Sequence, residues 1–405
     1  MDRVTTDIVV AGGGIAGLTA TAALAARGFD VVCVEPTAPA AAPTDDNADL
    51  RSTAFLDPSI DLLKEAGLWD RLAAHATDLV TMRLCDAGGT ANEIRETADF
   101  SAPELGRARF GCNLPNWLLR QEMSAALDRM PNVTLMSGAR VTNMLARTAH
   151  VILRLSNGRT IQAALAVAAD GRDSFLRHAA GIGVSTWRYG QKALAFAVSH
   201  PLPHTNISTE IHRTGGPFTL VPLPDRNGVP HSAVVWMATG PDACDLHQLD
   251  QKAFETALNT RACNVLGPLR LASPRALWPI VSQRARHLCG PRLALIAEAA
   301  HVVPPIGAQG LNMSLADIAT LRDLVSAARD SGQDIGAPPV LTRYHRTRYP
   351  DIVARVSAID ALNRAALAQT PALRDIRRQG LAFLARTPPL RQTAMRAGLG
   401  LSPAR

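Results

Sequence analysis

The chain has 405 residues, 47% of them hydrophobic, and a formal net charge of +7, which is room for one large or two medium domains with a real core. The charge excess is modest and no dense Lys/Arg run with interleaved aromatics occurs, so nucleic acid is not an expected partner. Cys33, Cys85, Cys112, Cys244, Cys263 and Cys289 are scattered without a CxxC pair or a Cys/His cluster; this argues against a disulfide framework or a metal site and fits a reducing compartment.

Asp7 to Ala11 reads as a buried strand. Gly12, Gly14 and Gly17 then give G-x-G-x-x-G, Ile15 to Arg27 an Ala/Leu-rich helix ended by Gly28, and Phe29 to Val34 a second strand closed by Glu35. Ile8–Ala26 carries no charge and has the look of a signal peptide or a membrane span, but its glycines and the nearby Asp2 and Asp7 fit a β-turn-α unit instead. In such a unit Gly12 permits the tight turn, Gly14 lets a pyrophosphate approach the backbone, and Gly17 lets the helix pack closely on the strand. The first helical turn, with Ile15 and Ala16, offers free N–H groups and a partial positive charge to phosphates. A carboxylate placed like Glu35, about 20 residues on, accepts the ribose hydroxyls of an adenosine.

Thr37 to Asp49 is Ala/Pro/Asp-rich and reads as a mobile loop. Leu165–Arg177, "LAVAADGRDSFLR", is a small-residue strand ending at Asp170-Gly171, followed by a helix with Asp173 or Ser174 as its cap. "KALAFAVSH" and "HSAVVWMA" alternate like strands of a second sheet. Phe196, Phe218, Leu220, Val235 and Trp236 fall on such strands, where they either line an apolar cleft or form ordinary sheet core. Leu293 to Ala297 is a third strand, Pro304, Pro305, Gly307 and Gly310 shape a loop, and the next helix puts Leu311, Leu315, Ile318 and Val325 near one face. Its first turn, Leu311, Asn312 and Met313, leaves N–H groups for an anionic or electron-accepting ring. From Leu341 the chain is helical with Pro breaks, and beyond Asp375 it has arginines and no acid. That end is either a solvated helix face or a basic surface that docks on anionic lipid or partner enzymes. No G-x-S-x-G or Ser-His-Asp spacing points to hydrolysis. No side chain is assigned as catalytic, and His301, His212 and Tyr189 read first as structural.

Taken together, these segments resemble the class A FAD-dependent aromatic monooxygenases: GxGxxG near the start, DG in the middle, and "AAHVVPPIGAQGLN" late. More narrowly they resemble the ubiquinone-biosynthesis hydroxylases that act on 2-polyprenylphenols. "RSTAFLDPSIDLLKEAGLW", "GPFTLVPLP" and "RRQGLAFLARTPPLRQTAMRAGLG" extend the likeness over nearly the whole chain. The expected fold is α/β: a discontinuous, Rossmann-like FAD-binding domain (1–72, 111–180, 283–333), a β-sheet substrate domain (73–110, 181–282) and a C-terminal helical segment (334–405). The resemblance implies that Gly12, Gly14, Ile15, Ala16, Gly17 and Glu35 hold the ADP half of FAD. Arg51 and Arg120 would lie on the cofactor side, Asp170 and Gly171 at the motif linked to FAD and the nicotinamide donor, and Glu298, Pro305, Gly307, Gly310, Leu311 and Asn312 at the flavin end. It further implies that NAD(P)H reduces the flavin, that O₂ adds to form a flavin hydroperoxide, and that an oxygen atom passes to the ring of a polyprenylated aromatic substrate. A cytoplasmic location follows, with peripheral contact at the inner membrane or with biosynthetic partners as an option. A hydroxylase of a soluble aromatic and a non-catalytic flavin-fold subunit stay open as alternatives.

The chain departs from that family's pattern at Ala297-Glu298, where Gly-Asp is usual. Glu keeps the charge on a longer arm, and Ala costs about 1 kcal/mol if the backbone there needs φ > 0. The expectation is a looser hold on FAD, or lost catalysis.

Overall fold

The computed structural model describes residues 3–45, 47–87, 93–213, 215–367, 379–380 and 382–399. Three sheets organise these residues. The first is built on five parallel strands in the order Leu293–Leu295, Thr160–Ala168, Arg3–Ala11, Val31–Glu35 and Val133–Ser137. Val141–Ala146 and Val151–Leu155 add an antiparallel pair alongside, and Cys289–Gly290 caps one edge. Strand order reverses between Arg3–Ala11 and Thr160–Ala168, so a crevice opens beyond the carboxyl ends of those two strands, the usual ligand position in such sheets.

The first helix, Ile15–Ala25, explains its own composition. Every residue from Ala16 to Ala25 is buried, so only small or apolar side chains fit. Its two buried threonines satisfy their hydroxyls locally, Thr19 donating to Ile15 O and Thr21 to Gly17 O, each at 2.8 Å. The strands on either side run longer or start later than the sequence suggests: Arg3–Ala11 instead of Asp7–Ala11, and Val31–Glu35 instead of Phe29–Val34. The helix stops at Ala25 rather than Arg27. Ser174, not Asp173, caps the helix Phe175–Ala179, accepting from Arg177 N at 3.0 Å.

The second sheet has nine strands, with the long Val184–Ser199 strand between Val229–Thr239 and Ala276–Ala285. Its two faces differ in size of side chain. On one face Leu194, Phe196, Val198, Phe218, Leu220, Val234 and Trp236 pack with Phe254 and Leu258 in one core, under the helices Gly240–Gln248 and Gln251–Ala262. The opposite face carries Ala193, Ala195, Ala197 and Ala233, with Val235, Met237 and Ile280. The third sheet, Ser52–Leu56, Gly111–Pro115 and Thr77–Leu79, is antiparallel and is tied to the second by Asn113 Nδ2, which donates to Pro222 O at 2.8 Å. The segment 73–110 thus feeds both of these sheets. A 30-residue helix, Pro338–Leu367, and a shorter one, Pro388–Gly398, follow; the stretch just beyond Asp375 lies outside the described residues.

Candidate active site

The early turn is set by backbone crowding. Gly12 adopts φ +107, and a Cβ there would collide with the Ala169 carbonyl. A Cβ on Gly17 would overlap the Gly12 carbonyl oxygen. Gly14 is different: its φ is −70, a value any residue accepts, and a Cβ would meet nothing within 4 Å. The protein itself therefore gives no reason for glycine at that position. The helix that begins there has no side-chain cap, so its first N–H groups keep their capacity for an anion. Glu35 closes the far side: its carboxylate accepts from Gly13 N at 2.5 Å and Thr37 N at 3.2 Å. Arg120 donates to Gly13 O at 3.2 Å and Thr37 O at 3.0 Å and lies 3.5 Å from Glu35. It braces the same turn from a helix, Asn116–Leu127, far away in sequence.

Asp170 and Gly171 follow the strand beside that turn; the Gly12 crowding is against Ala169 and Asp170 N. The Asp170 carboxylate is occupied locally, accepting from Ser174 Oγ at 2.5 Å and Leu176 N at 3.1 Å.

The late strand is shorter than the sequence suggests, Leu293–Leu295, because Ala297 turns into the left-handed region at φ +55 and begins a short helix, Ala297–Ala300. The concern about alanine at this position is thus met by the geometry: the position does need φ > 0, and Ala occupies it, buried. Glu298 beside it is exposed. His301 is structural: its Nε2 lies 2.7 Å from Asp317, which also accepts from Arg348 Nε at 2.8 Å, with His301 and Asp317 almost wholly buried. Arg177 and Tyr344 hold the same turn by donating to Ala299 O and Leu295 O. Past Pro305, Gly307 at φ +61 and Ala308 at φ +55 lead into the helix Gln309–Asp330, which starts two residues earlier than Leu311 and again without a side-chain cap. Gly310 and Leu311 lie in its first turn. Asn312 is fully engaged: it donates to Ala54 O and Ala308 O and accepts from Leu56 N and Ser59 Oγ, at 2.6 to 2.9 Å.

Those bonds draw the third sheet against the late helix and place Arg51 at the junction. Arg51 forms a bidentate pair with Asp49 (2.8 and 2.7 Å), and its guanidinium lies 4.5 Å from the Trp278 ring centroid. Burial works against its charge, but Asp49 and then Glu298 outweigh that and hold its pKa above the usual arginine value. Asp49 is fixed in turn by Asn116 Nδ2 at 2.9 Å. Residues from four separated segments meet here, and the sequence reading named only Arg51 and Glu298; Asp49, Asn116 and Trp278 carry no motif that would have flagged them. Tyr189 reads first as structural in the sequence. It lies on the small-residue face of the second sheet with Ala193 and Ile280, and its hydroxyl donates to Asp360 at 2.6 Å. Burial and that carboxylate push the phenol up to about 12, so it stays neutral. His212, by contrast, pairs with Glu210 at 2.7 Å within the second sheet. Of the five proposed cleft residues, Phe196, Phe218, Leu220 and Trp236 belong to the core under the helices, and only Val235 is on the other face.

A bare Gly14, two uncapped helix starts and a carboxylate at the end of the second strand fit a flavin dinucleotide. The match to known proteins agrees. Residues 5–356 match the FAD binding domain family. The chain is 33% identical over 394 residues to the ubiquinone hydroxylase UbiL of Rhodospirillum rubrum, covering 97% of this chain and 89% of that one. It is 28% identical over 396 residues to the 3-demethoxyubiquinol 3-hydroxylase of Escherichia coli, covering 98% and 99%. Among solved structures, p-nitrophenol 4-monooxygenase PnpA of Pseudomonas putida shares the fold, with a TM-score of 0.80 over 100% of both chains at 18% identity. The chain belongs to the FAD-dependent hydroxylase family that includes these ubiquinone hydroxylases, and it is a FAD-dependent aromatic monooxygenase.

Proposed function

We propose that the protein hydroxylates the aromatic ring of a polyprenylated phenol on the way to ubiquinone, with NAD(P)H as reductant and O₂ as oxidant. The observation that carries this reading is the near full-length similarity to two hydroxylases of ubiquinone-type rings. The alanine-rich face of the second sheet supports it: rows such as Ala276–Ala195–Val235–Thr219 leave an apolar lane of low relief, suited to a prenyl chain and poorly suited to a small polar acid.

In this reading FAD supplies the redox chemistry, taking electrons from the donor and activating O₂. Glu35 and the Gly14 helix start hold its ADP half, and the Gln309 helix start favours negative charge at the flavin end. Arg51, locked by Asp49, keeps a fixed positive charge between Trp278 and Glu298. Tyr189, whose proton goes to Asp360, offers its hydroxyl oxygen as an acceptor for a phenol O–H. The domain division 1–72/111–180/283–333 and 73–110/181–282 is retained as part of this proposal. No helix among the described residues is long and apolar enough to cross a membrane. The C-terminal helices expose Phe383 (63%) and Leu390 (45%) beside Arg386, and we place contact with an anionic bilayer there.

The test is NADH and NADPH oxidation by the FAD-loaded protein with and without a prenylated phenol, under ¹⁸O₂. The proposal expects stimulated oxidation and one labelled oxygen in the ring product. Oxidation indifferent to the phenol, with no labelled product, would sink it. The same result would favour the non-catalytic alternative.

A further inference from the structure

Five of the six cysteines are poor nucleophiles where they stand. Burial pushes the thiols of Cys33 and Cys112 up to about 12, and it also raises those of Cys85, Cys263 and Cys289. Cys244 has a different neighbourhood. It lies on the helix Gly240–Gln248, with its Sγ 2.9 Å from Lys192 Nζ. Lys192 sits in the middle of the second sheet, paired with Ala238 on one side and Pro279 on the other. Among the described residues no carboxylate forms an ion pair with Lys192, so the ammonium is directed at the thiol alone. Both side chains are half-buried, which leaves them open to a small oxidant while keeping their geometry.

The geometry is enforced by the fold. A Cβ on Gly240 would come within 3.1 Å of Gly190 O, so the helix start rests directly on the irregular turn of the Val184–Ser199 strand that precedes Lys192. Thr239 caps that helix, accepting from Asp242 N at 3.4 Å. The pair is therefore held by close backbone packing, not by the chance approach of two surface side chains. A thiol open to a small oxidant and in contact with an amine can be oxidised and then captured by that amine.

We propose that Lys192 and Cys244 are a peroxide-operated covalent switch that closes into a sulfenamide link between strand and helix. The oxidant is hydrogen peroxide, the product any O₂-reducing flavoprotein releases when oxygen is not delivered to a ring. The Cys244 thiolate attacks one peroxide oxygen, the O–O bond breaks, and a proton from Lys192 completes the departing water. The freed Lys192 amine then attacks the sulfur of the sulfenic acid. An S–N bond forms, the S–O bond breaks, and the hydroxyl leaves as a second water with the amine's proton. Sulfur is oxidised by two electrons and one peroxide is reduced to two waters. The link fixes the helix Gly240–Gln248 to the central strand of the sheet, and a thiol reductant reopens it.

The experiment treats the full-length, FAD-loaded protein with a few equivalents of hydrogen peroxide and maps its peptides by mass spectrometry. The expected product joins the Lys192 and Cys244 peptides with the loss of two hydrogens, resists trypsin at Lys192, and disappears on reduction with dithiothreitol. It is absent from Cys244→Ser and Lys192→Arg. Before oxidation, Cys244 should react with iodoacetamide at least about tenfold faster than the other five cysteines. Wild-type mapping decides the matter even if a variant folds poorly. If Cys244 stays unmodified while other cysteines oxidise, the proposal is overturned. It is equally overturned if Cys244 yields a trappable sulfenic acid in equal amount in wild type and Lys192→Arg, with no cross-link.

Discussion

The two strand-to-helix turns proposed to hold FAD place backbone in the left-handed region with different residues. The early turn uses glycine throughout, with Gly12 at φ +107. The late turn places alanine at two of its left-handed positions, Ala297 and Ala308, each at φ +55, with Gly307 at φ +61 beside the second. The difference lies in what surrounds each backbone. Around Gly12 and Gly17 a Cβ would run into carbonyls of the neighbouring strand and of the turn itself. Around Ala297 the structure has room for the methyl group, and the strain is offset by an outside brace: Asp317, His301, Arg348, Arg177 and Tyr344 all hold the late turn from behind. One turn is specified by sterics within a dozen residues, the other by a buried polar network assembled from distant helices.

The largest effects should come from attacking each device where it is strongest. Asp317→Ala leaves His301 buried without its carboxylate and Arg348 with Asp351 alone, and should cost about 3 kcal/mol, read as a fall in the urea midpoint. A loss under about 1 kcal/mol would show that the network does not hold the late turn. Gly17→Ala should cost about 3 kcal/mol or more through overlap with the Gly12 carbonyl. If it folds with wild-type stability, the early turn has slack that the packing denies.

Smaller changes sharpen the comparison. Ala297→Gly relieves the left-handed strain and should stabilise the protein by about 1 kcal/mol; combined with Glu298→Asp it tests whether the departure from Gly-Asp loosens FAD, since occupancy that does not change in the double variant would end that idea. The pH dependence separates the junction around Arg51. Burial raises the Asp49 carboxyl, but its hydrogen bonds and charge contact with Arg51 outweigh that and place it below the usual value of 3.8. A depressed folded-state pKa means the stabilisation is complete above the unfolded value and lost as pH falls through the folded one. Stability should therefore decline below about pH 4, and the decline should be shallower in Asp49→Asn.

What was legible in the sequence follows the same division. Gly12, Gly14, Gly17 and Glu35 were readable because their requirements are local: a strand, a turn, a helix and an acid in one short run. The late motif was readable as a motif, but its backbone was not. Nothing local announces that Ala297 and Ala308 take positive φ, so the sequence pattern extends the strand to Ala297 and starts the helix at Leu311, where the structure has Leu295 and Gln309. Arg120 was placed on the cofactor side, and the structure brings it to Glu35. The alternation of "KALAFAV" discloses a strand, yet not which face the two helices cover. That depends on the helices Gly240–Gln248 and Gln251–Ala262, which cover Phe196 and Trp236 and leave the alanines on the other side. Asn116, Trp278 and Tyr189 act through tertiary contacts with partners 67, 227 and 171 positions away, and no spacing rule reaches them; Asp49 sits two residues from Arg51 but carries no motif.

Gly14→Ala tests the central claim most directly, because Gly14 is the one glycine of the early turn whose Cβ would meet no protein atom. FAD affinity and apoprotein stability are measured side by side. The account predicts an apoprotein as stable as wild type, or up to about 1 kcal/mol more stable, with FAD bound at least about tenfold more weakly, a loss of about 1.4 kcal/mol. Unchanged FAD affinity, or an apoprotein destabilised like Gly17→Ala, would contradict it: the position would then serve the fold and not the cofactor.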